Sequence, residues 1–238
     1  MSEGENIIWH YTNVAGLQQI MTPGAYLYGT HYRFFSDVNE CIAENNEFPD
    51  YTYFITCFTE KKDNYKLWGK WKNKQYCIGF DKNELLNMLK IYNRGYQIKT
   101  SECKNFILPH IRLCKVLYNK KEYDAFIKTQ ENITQEELVE YIYRPILKKI
   151  NFKYEEEWRI FLVLEQLEPE KIEYIGNKPR LPLIPILHKT MIKEIISVRD
   201  QTPNVIEYEK YAKDLCRIVG LDESIVSISQ YERPITNT

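Results

Sequence analysis

The sequence predicts an α+β fold in a single domain spanning residues 1–238. Three observations carry this. First, short β-branched and aromatic runs recur along the chain, at Ile7–Thr12, Tyr51–Thr59, Tyr76–Phe80, Ile111–Tyr118, Ile192–Val198 and Ile225–Ser229. Second, helix start and stop signals fall between these runs rather than in a separate block, which is the mark of intermixed elements. Third, neither a composition break nor an internal repeat divides the chain.

The elements follow in order. Ile7–Thr12 is β-rich, and Asn13 is placed to cap a helix from Val14 to about Met21, stopped by Thr22-Pro23-Gly24. Ala25–Thr30 is extended. Asp37 is a candidate cap for a helix reaching about Glu47. After the Tyr51–Thr59 strand, Tyr65–Trp71 reads as a short aromatic and basic helical turn. Asp81 with Glu84 forms a capping box for a helix to about Tyr92, and Thr134 with Glu137 opens another toward Ile150 that Pro145 interrupts. Lys171–Ile175 and Leu181–Leu187 are extended, the second at a sheet edge because it carries Pro182 and Pro185. Thr202-Pro203 starts a helix that ends near Gly220.

Composition narrows the function. Hydrophobic residues are 44% and charged residues 27%, enough apolar surface for a buried core. The formal net charge of -1 gives no electrostatic case for a nucleic-acid or membrane partner. No apolar run approaches the about 20 residues that span a bilayer. The acidic, polar start reads as lacking a signal peptide, so the expected location is the cytoplasm. The six cysteines form no Cys-x-x-Cys pair; Cys57, Cys77 and Cys114 read as buried free thiols in a reducing compartment. Glycine-rich phosphate loops, a His-Glu-x-x-His zinc site and a Gly-x-Ser-x-Gly elbow are all missing from the sequence.

What remains is the stretch from Asn151 to Leu164, in which Glu155, Glu156 and Glu157 run directly into Trp158, Arg159 and a continuous apolar strand. Two readings are open. The glutamates are a solvated strand entry with one of them paired to Arg159, or one of them is a catalytic group held rigid at the mouth of a sheet. Period two places Glu155 and Glu157 on one strand face. His10-Tyr11-Thr12 ends the first strand, Thr56 lies on the middle one, and Trp68 and Trp71 offer flat faces. Each also has a structural reading: a strand-end histidine bonded to backbone, and tryptophans packed in the core.

These pieces resemble the bacterial family known as domain of unknown function 2971. The resemblance rests on His10-Tyr11, Ser36-Asp37-Val38-Asn39-Glu40, Cys57-Phe58-Thr59, Trp68-Gly69-Lys70-Trp71, Gly79-Phe80-Asp81, Glu155-Glu156-Glu157-Trp158-Arg159 and the tail from Ser227 to Arg233, in that order. Departures from its pattern are Ser36 for asparagine, Thr59 for serine and Trp71 for tyrosine. The layout is also similar to that of ADP-ribosyltransferases. That resemblance implies a split, mixed or antiparallel sheet flanked by helices, with NAD as substrate. It implies NAD contacts at His10, Tyr11, Thr12, Thr56, Trp68 and Arg159, and catalytic roles for Glu157 and Glu155. Glu157 is the first choice because it abuts the buried strand, and its action requires His10 and Glu157 to converge on one crevice. The implied acceptor is a protein or nucleic acid, and the implied setting is a bacterial toxin or phage-defence system with an antitoxin or defence partner.

Two further classes stay open. One is a metal-dependent nuclease that gathers Asp37, Glu40, Glu155 and Glu157 around Mg²⁺. The other is a non-catalytic ligand- or protein-binding module in which the Glu/Arg/Trp cluster is structural. The ADP-ribosyltransferase reading itself expects no bound metal.

Overall fold

A computed structural model of the chain describes residues 6–35, 51–100, 111–130, 142–165, 173–175, 178–200 and 205–233. The fold is α+β, with a mixed, largely antiparallel set of strands flanked by helices. The chain gathers into two compact units that interleave along the sequence. The first comprises Met1–Leu27, Phe58–Met88 and Pro185–Thr238; the second comprises Tyr28–Cys57 and Leu89–Ile184.

In the first unit, β1 (Ile7–Thr12) pairs antiparallel with β4 (Tyr76–Asp81) over their full length, from Ile7 opposite Asp81 to Thr12 opposite Tyr76. β4 pairs antiparallel on its other side with β9 (Ile192–Asp200), so it is buried on both faces. Its uninterrupted apolar sequence matches that position. β9 runs parallel to β10 (Val226–Arg233), and helix α5 (Val205–Val219) supplies the crossover that parallel strands need. Gly220 follows α5 at φ 70°, the left-handed conformation that closes many helices. Trp9, Tyr11, Leu67, Trp68, Cys77, Ile196 and Val198 form one core here. Leu67 and Trp68 come from the short helix α2 (Tyr65–Lys70), capped by Asn64. Asn13 caps α1 (Val14–Ile20), and Asp81 accepts from the Asn83 and Glu84 amides at the start of α3 (Lys82–Thr100).

In the second unit, β3 (Tyr51–Thr59, divided between the units after Cys57) pairs antiparallel with β2 (Tyr26–His31) and also pairs with β6 (Glu157–Glu165). β5 (Arg112–Lys115) lies antiparallel to β6, with Cys114 opposite Arg159 and Lys115 opposite Trp158. Tyr53, Ile55, Tyr123, Ile142, Tyr143, Ile146 and Phe161 are the core.

Several expectations need correction. The strand expected from Ile111 to Tyr118 is only Arg112–Lys115; past it, Leu117 makes a single bridge to Leu147. α3 runs on to Thr100 rather than stopping near Tyr92. β8 (Lys178–Pro185) is not an edge: it lies between β2 and the three-residue β7 (Glu173–Ile175), which holds the edge. An unanticipated helix, α4 (Lys120–Lys128), is capped by Asn119. Pro145 sits in a 3-10 turn, Arg144–Ile146. The Asp37 helix, Glu40 and Thr134–Glu137 lie outside the described residues.

Candidate functional site

The site is built where the chain enters β6. Residues Ile150–Glu155 form a 3-10 turn, and Glu156 then takes a left-handed conformation at φ 43°, ψ 54°. A non-glycine residue there is strained. Glu155 therefore ends a turn rather than sharing a strand face with Glu157, which corrects the expectation from period two. The two acids converge by another route: both reach Lys148.

Lys148 is held in place by backbone. The Leu117 amide donates to Ile146 O at 2.7 Å, and the Lys148 amide donates back to Leu117 O at 2.9 Å. The Lys148 ammonium then donates to Glu155 Oε2 at 2.9 Å and to Glu157 Oε2 at 3.1 Å. Arg159 grips the same Glu157 carboxylate in a fork, Nε to Oε1 at 2.8 Å and Nη2 to Oε2 at 3.0 Å, while its Nη1 donates to Pro145 O at 2.5 Å. The Glu157 amide donates to the Tyr118 hydroxyl at 2.9 Å, and the Cys57 thiol donates to the Glu157 carboxylate. Lys148 Nζ also lies 4.6 Å from the centre of the Phe152 ring.

This is a buried cluster of two acids and two bases. Relative exposure is 7% for Lys148, 2% for Glu155, 4% for Glu157 and 2% for Arg159. Burial alone pushes the Glu157 carboxyl up, but Arg159 and then Lys148 overcome it and hold the group at about 2. Burial likewise works against the Lys148 charge, yet Glu157 and Glu155 outweigh it and keep the ammonium above its ordinary value. Burial first, and the Glu157 charge next, push the Cys57 thiol well up, so it is not a nucleophile at neutral pH. The Glu157 carboxylate is thus held charged in a buried setting, where it acts as a preorganised electrostatic group.

Of the residues expected at a site, the structure brings together Glu155, Glu157 and Arg159. Thr56, also in the second unit, donates to Tyr28 O at 2.7 Å. His10, Tyr11, Thr12 and Trp68 belong to the first unit. The half-buried His10 ring tilts against Phe58 at 5.5 Å. Tyr11 meets Trp68 edge-on at 4.7 Å, both in the core, and the Trp68 indole donates to Asp63 at 2.7 Å. Thr12 is buried beside Gly16, where an added Cβ would lie 2.0 Å from its hydroxyl oxygen. Cys57 and Cys114 are partly exposed and Cys77 and Cys216 buried, all as free thiols.

Sequence reasoning missed Lys148, Tyr118 and the contact of Cys57. A signal for Lys148 existed: several acids against a single arginine at the entry of a buried strand call for another cation. Among the described residues no group of three or more His, Cys, Asp or Glu is placed to hold a metal ion, and Glu155 and Glu157 are already neutralised by Lys148 and Arg159. Among those residues, no helix is long and apolar enough to cross a membrane.

No curated protein and no solved structure matches this chain. A family model does: Protein of unknown function (DUF2971), over residues 67–160. The matched stretch contains Trp68-Gly69-Lys70-Trp71, Gly79-Phe80-Asp81 and the whole Lys148–Arg159 cluster, whereas His10, the Ser36–Glu40 box and the tail lie outside it. The resemblance read from the sequence is borne out over residues 67–160, the stretch that matches the model of that family.

Proposed function

We propose that the chain is an ADP-ribosyltransferase-like enzyme that uses NAD. The observation that carries this is the Glu-x-Glu pair, Glu155 and Glu157, gathered on Lys148, with Glu157 also gripped by Arg159 and held ionised at the mouth of a strand. In such a reaction the bond between the ribose and nicotinamide breaks and nicotinamide leaves with the electron pair. A nucleophile of the acceptor then bonds to the sugar carbon and gives up its proton. Positive charge builds on the sugar as the first bond lengthens. A carboxylate that is ionised at every working pH and cannot turn away stabilises that charge without reorganising. Glu157 fills that role, Glu155 orients the acceptor, and Lys148 and Arg159 are positioning residues. The acceptor in this reading is a cytoplasmic protein or nucleic acid. The setting is a bacterial toxin or phage-defence system with an antitoxin or defence-system partner.

One observation favours a second reading. Glu157 is 4% exposed and both its oxygens are engaged, as suits a structural member of a non-catalytic binding module. Labelled NAD incubated with the protein and cell lysate separates the two. The first reading expects label transfer or nicotinamide release, lost in Glu157→Gln and reduced in Glu155→Gln, which leaves the Glu157–Arg159 pair in place. No turnover by wild type, or equal turnover by a folded Glu157→Gln, establishes the second.

A further inference from the structure

The first unit carries a groove of about 300 Å³, lined by Lys62, Asp63, Glu194, Ile196, Ser227, Ile228 and Gln230. Its volume is at the small end of ligand sites. Asp63 forms an inner wall and is already committed: Oδ1 accepts from the Trp68 indole at 2.7 Å and the Ser229 hydroxyl at 2.5 Å, and Oδ2 accepts from the Gln230 amide at 2.9 Å. The charges left to meet a ligand are Lys62 and Glu194, paired with each other at 2.8 Å with side chains 55% and 26% exposed.

That pair is weakly held. An ion pair this exposed contributes little. Lys62 has a second resting place, since its ammonium lies 5.4 Å from the centre of the Trp9 ring. Glu194 keeps a second partner, the Ser227 hydroxyl at 3.4 Å. One cation and one anion side by side match a ligand that carries one of each on neighbouring atoms. Beside them, the 43% exposed Ile228 offers apolar surface for an aliphatic group, above the buried Ile196.

We propose that this groove binds a free aliphatic α-amino acid, its carboxylate on Lys62, its ammonium on Glu194 and Ser227, and its side chain over Ile228. This does not depend on NAD chemistry. The test is an NMR titration of the full chain, followed at the Trp9 indole signal, with L-leucine, L-leucinamide and 4-methylpentanoate as probes. The second probe lacks the carboxylate and the third lacks the ammonium. Saturable shifts with leucine alone are expected. In Lys62→Met and in Glu194→Gln, leucine affinity falls on the order of tenfold or more, the loss of a charge-assisted contact. Lys62 is solvent-exposed, so its replacement leaves the fold intact. Absence of leucine binding overturns the proposal. So does equal binding of either analogue, or unchanged leucine affinity in both variants.

Discussion

Replacing Lys148 by methionine is the sharpest perturbation of the cluster, because it removes a charge while nearly keeping the volume. It leaves Glu155, Glu157 and Arg159 buried with one cation for two anions. Removing one partner of a buried pair costs about 3–5 kcal/mol. The wild-type cluster sets an independent scale. An ordinary glutamate titrates near about 4.3, and Glu157 is held at about 2, a difference of about two units or roughly 3 kcal/mol at the full burial of this group. A depressed carboxyl contributes stability above its unfolded pKa. In wild type that contribution is therefore intact at neutral pH and lost as pH falls from about 4.3 toward about 2. The variant has the opposite sign. Its surplus carboxylate takes up a proton in the folded state, so the folded pKa rises and the deficit shrinks as pH falls from neutral to about 5. Urea denaturation of both proteins at the two pH values measures this. In addition, Lys148→Met/Glu155→Gln restores charge balance and recovers about 1–3 kcal/mol through coupling. A loss below about 1 kcal/mol at neutral pH, or a loss independent of pH, refutes the reasoning.

Four more outcomes follow from the first unit. Gly79→Ala puts a Cβ 2.8 Å from Trp9 Cζ3 in a packed core and costs about 1–3 kcal/mol, read as a lowered melting temperature. Asp63→Ala removes the carboxylate that accepts from the Trp68 indole and the Gln230 amide, leaves the Ser229 hydroxyl only Tyr231 O as acceptor, and costs about 2–3 kcal/mol by the same assay. Asp63→Asn loses less, because asparagine tolerates the φ of 42° and keeps one acceptor oxygen. Gly220→Ala costs about 1 kcal/mol, since φ there is 70°.

Much of the fold was legible because its signals are local. Asn13 and Asp81 cap the helices they precede, and the apolar runs at Tyr76–Phe80 and Ile192–Val198 are paired, buried strands. α4 was hidden because its lysine-rich sequence shows only Tyr123, Phe126 and Ile127 as an apolar face. The charged side of the site was half legible. Glu157 and Arg159 lie two apart on one strand, so their pairing follows from period two. Lys148 was not legible in that way, because it reaches the acids through the Leu117–Leu147 bridge, a tertiary contact. Nor does sequence announce the left-handed turn at Glu156, where no glycine marks it.

The four-charge cluster on which both functional readings depend is tested most directly by carboxyl NMR of the protein labelled at glutamate. The account predicts that the Glu157 carboxyl stays ionised through the ordinary range around pH 4.3, down toward about 2 or until acid unfolding. A Glu157 carboxyl that titrates at or above that ordinary value in the folded protein contradicts it.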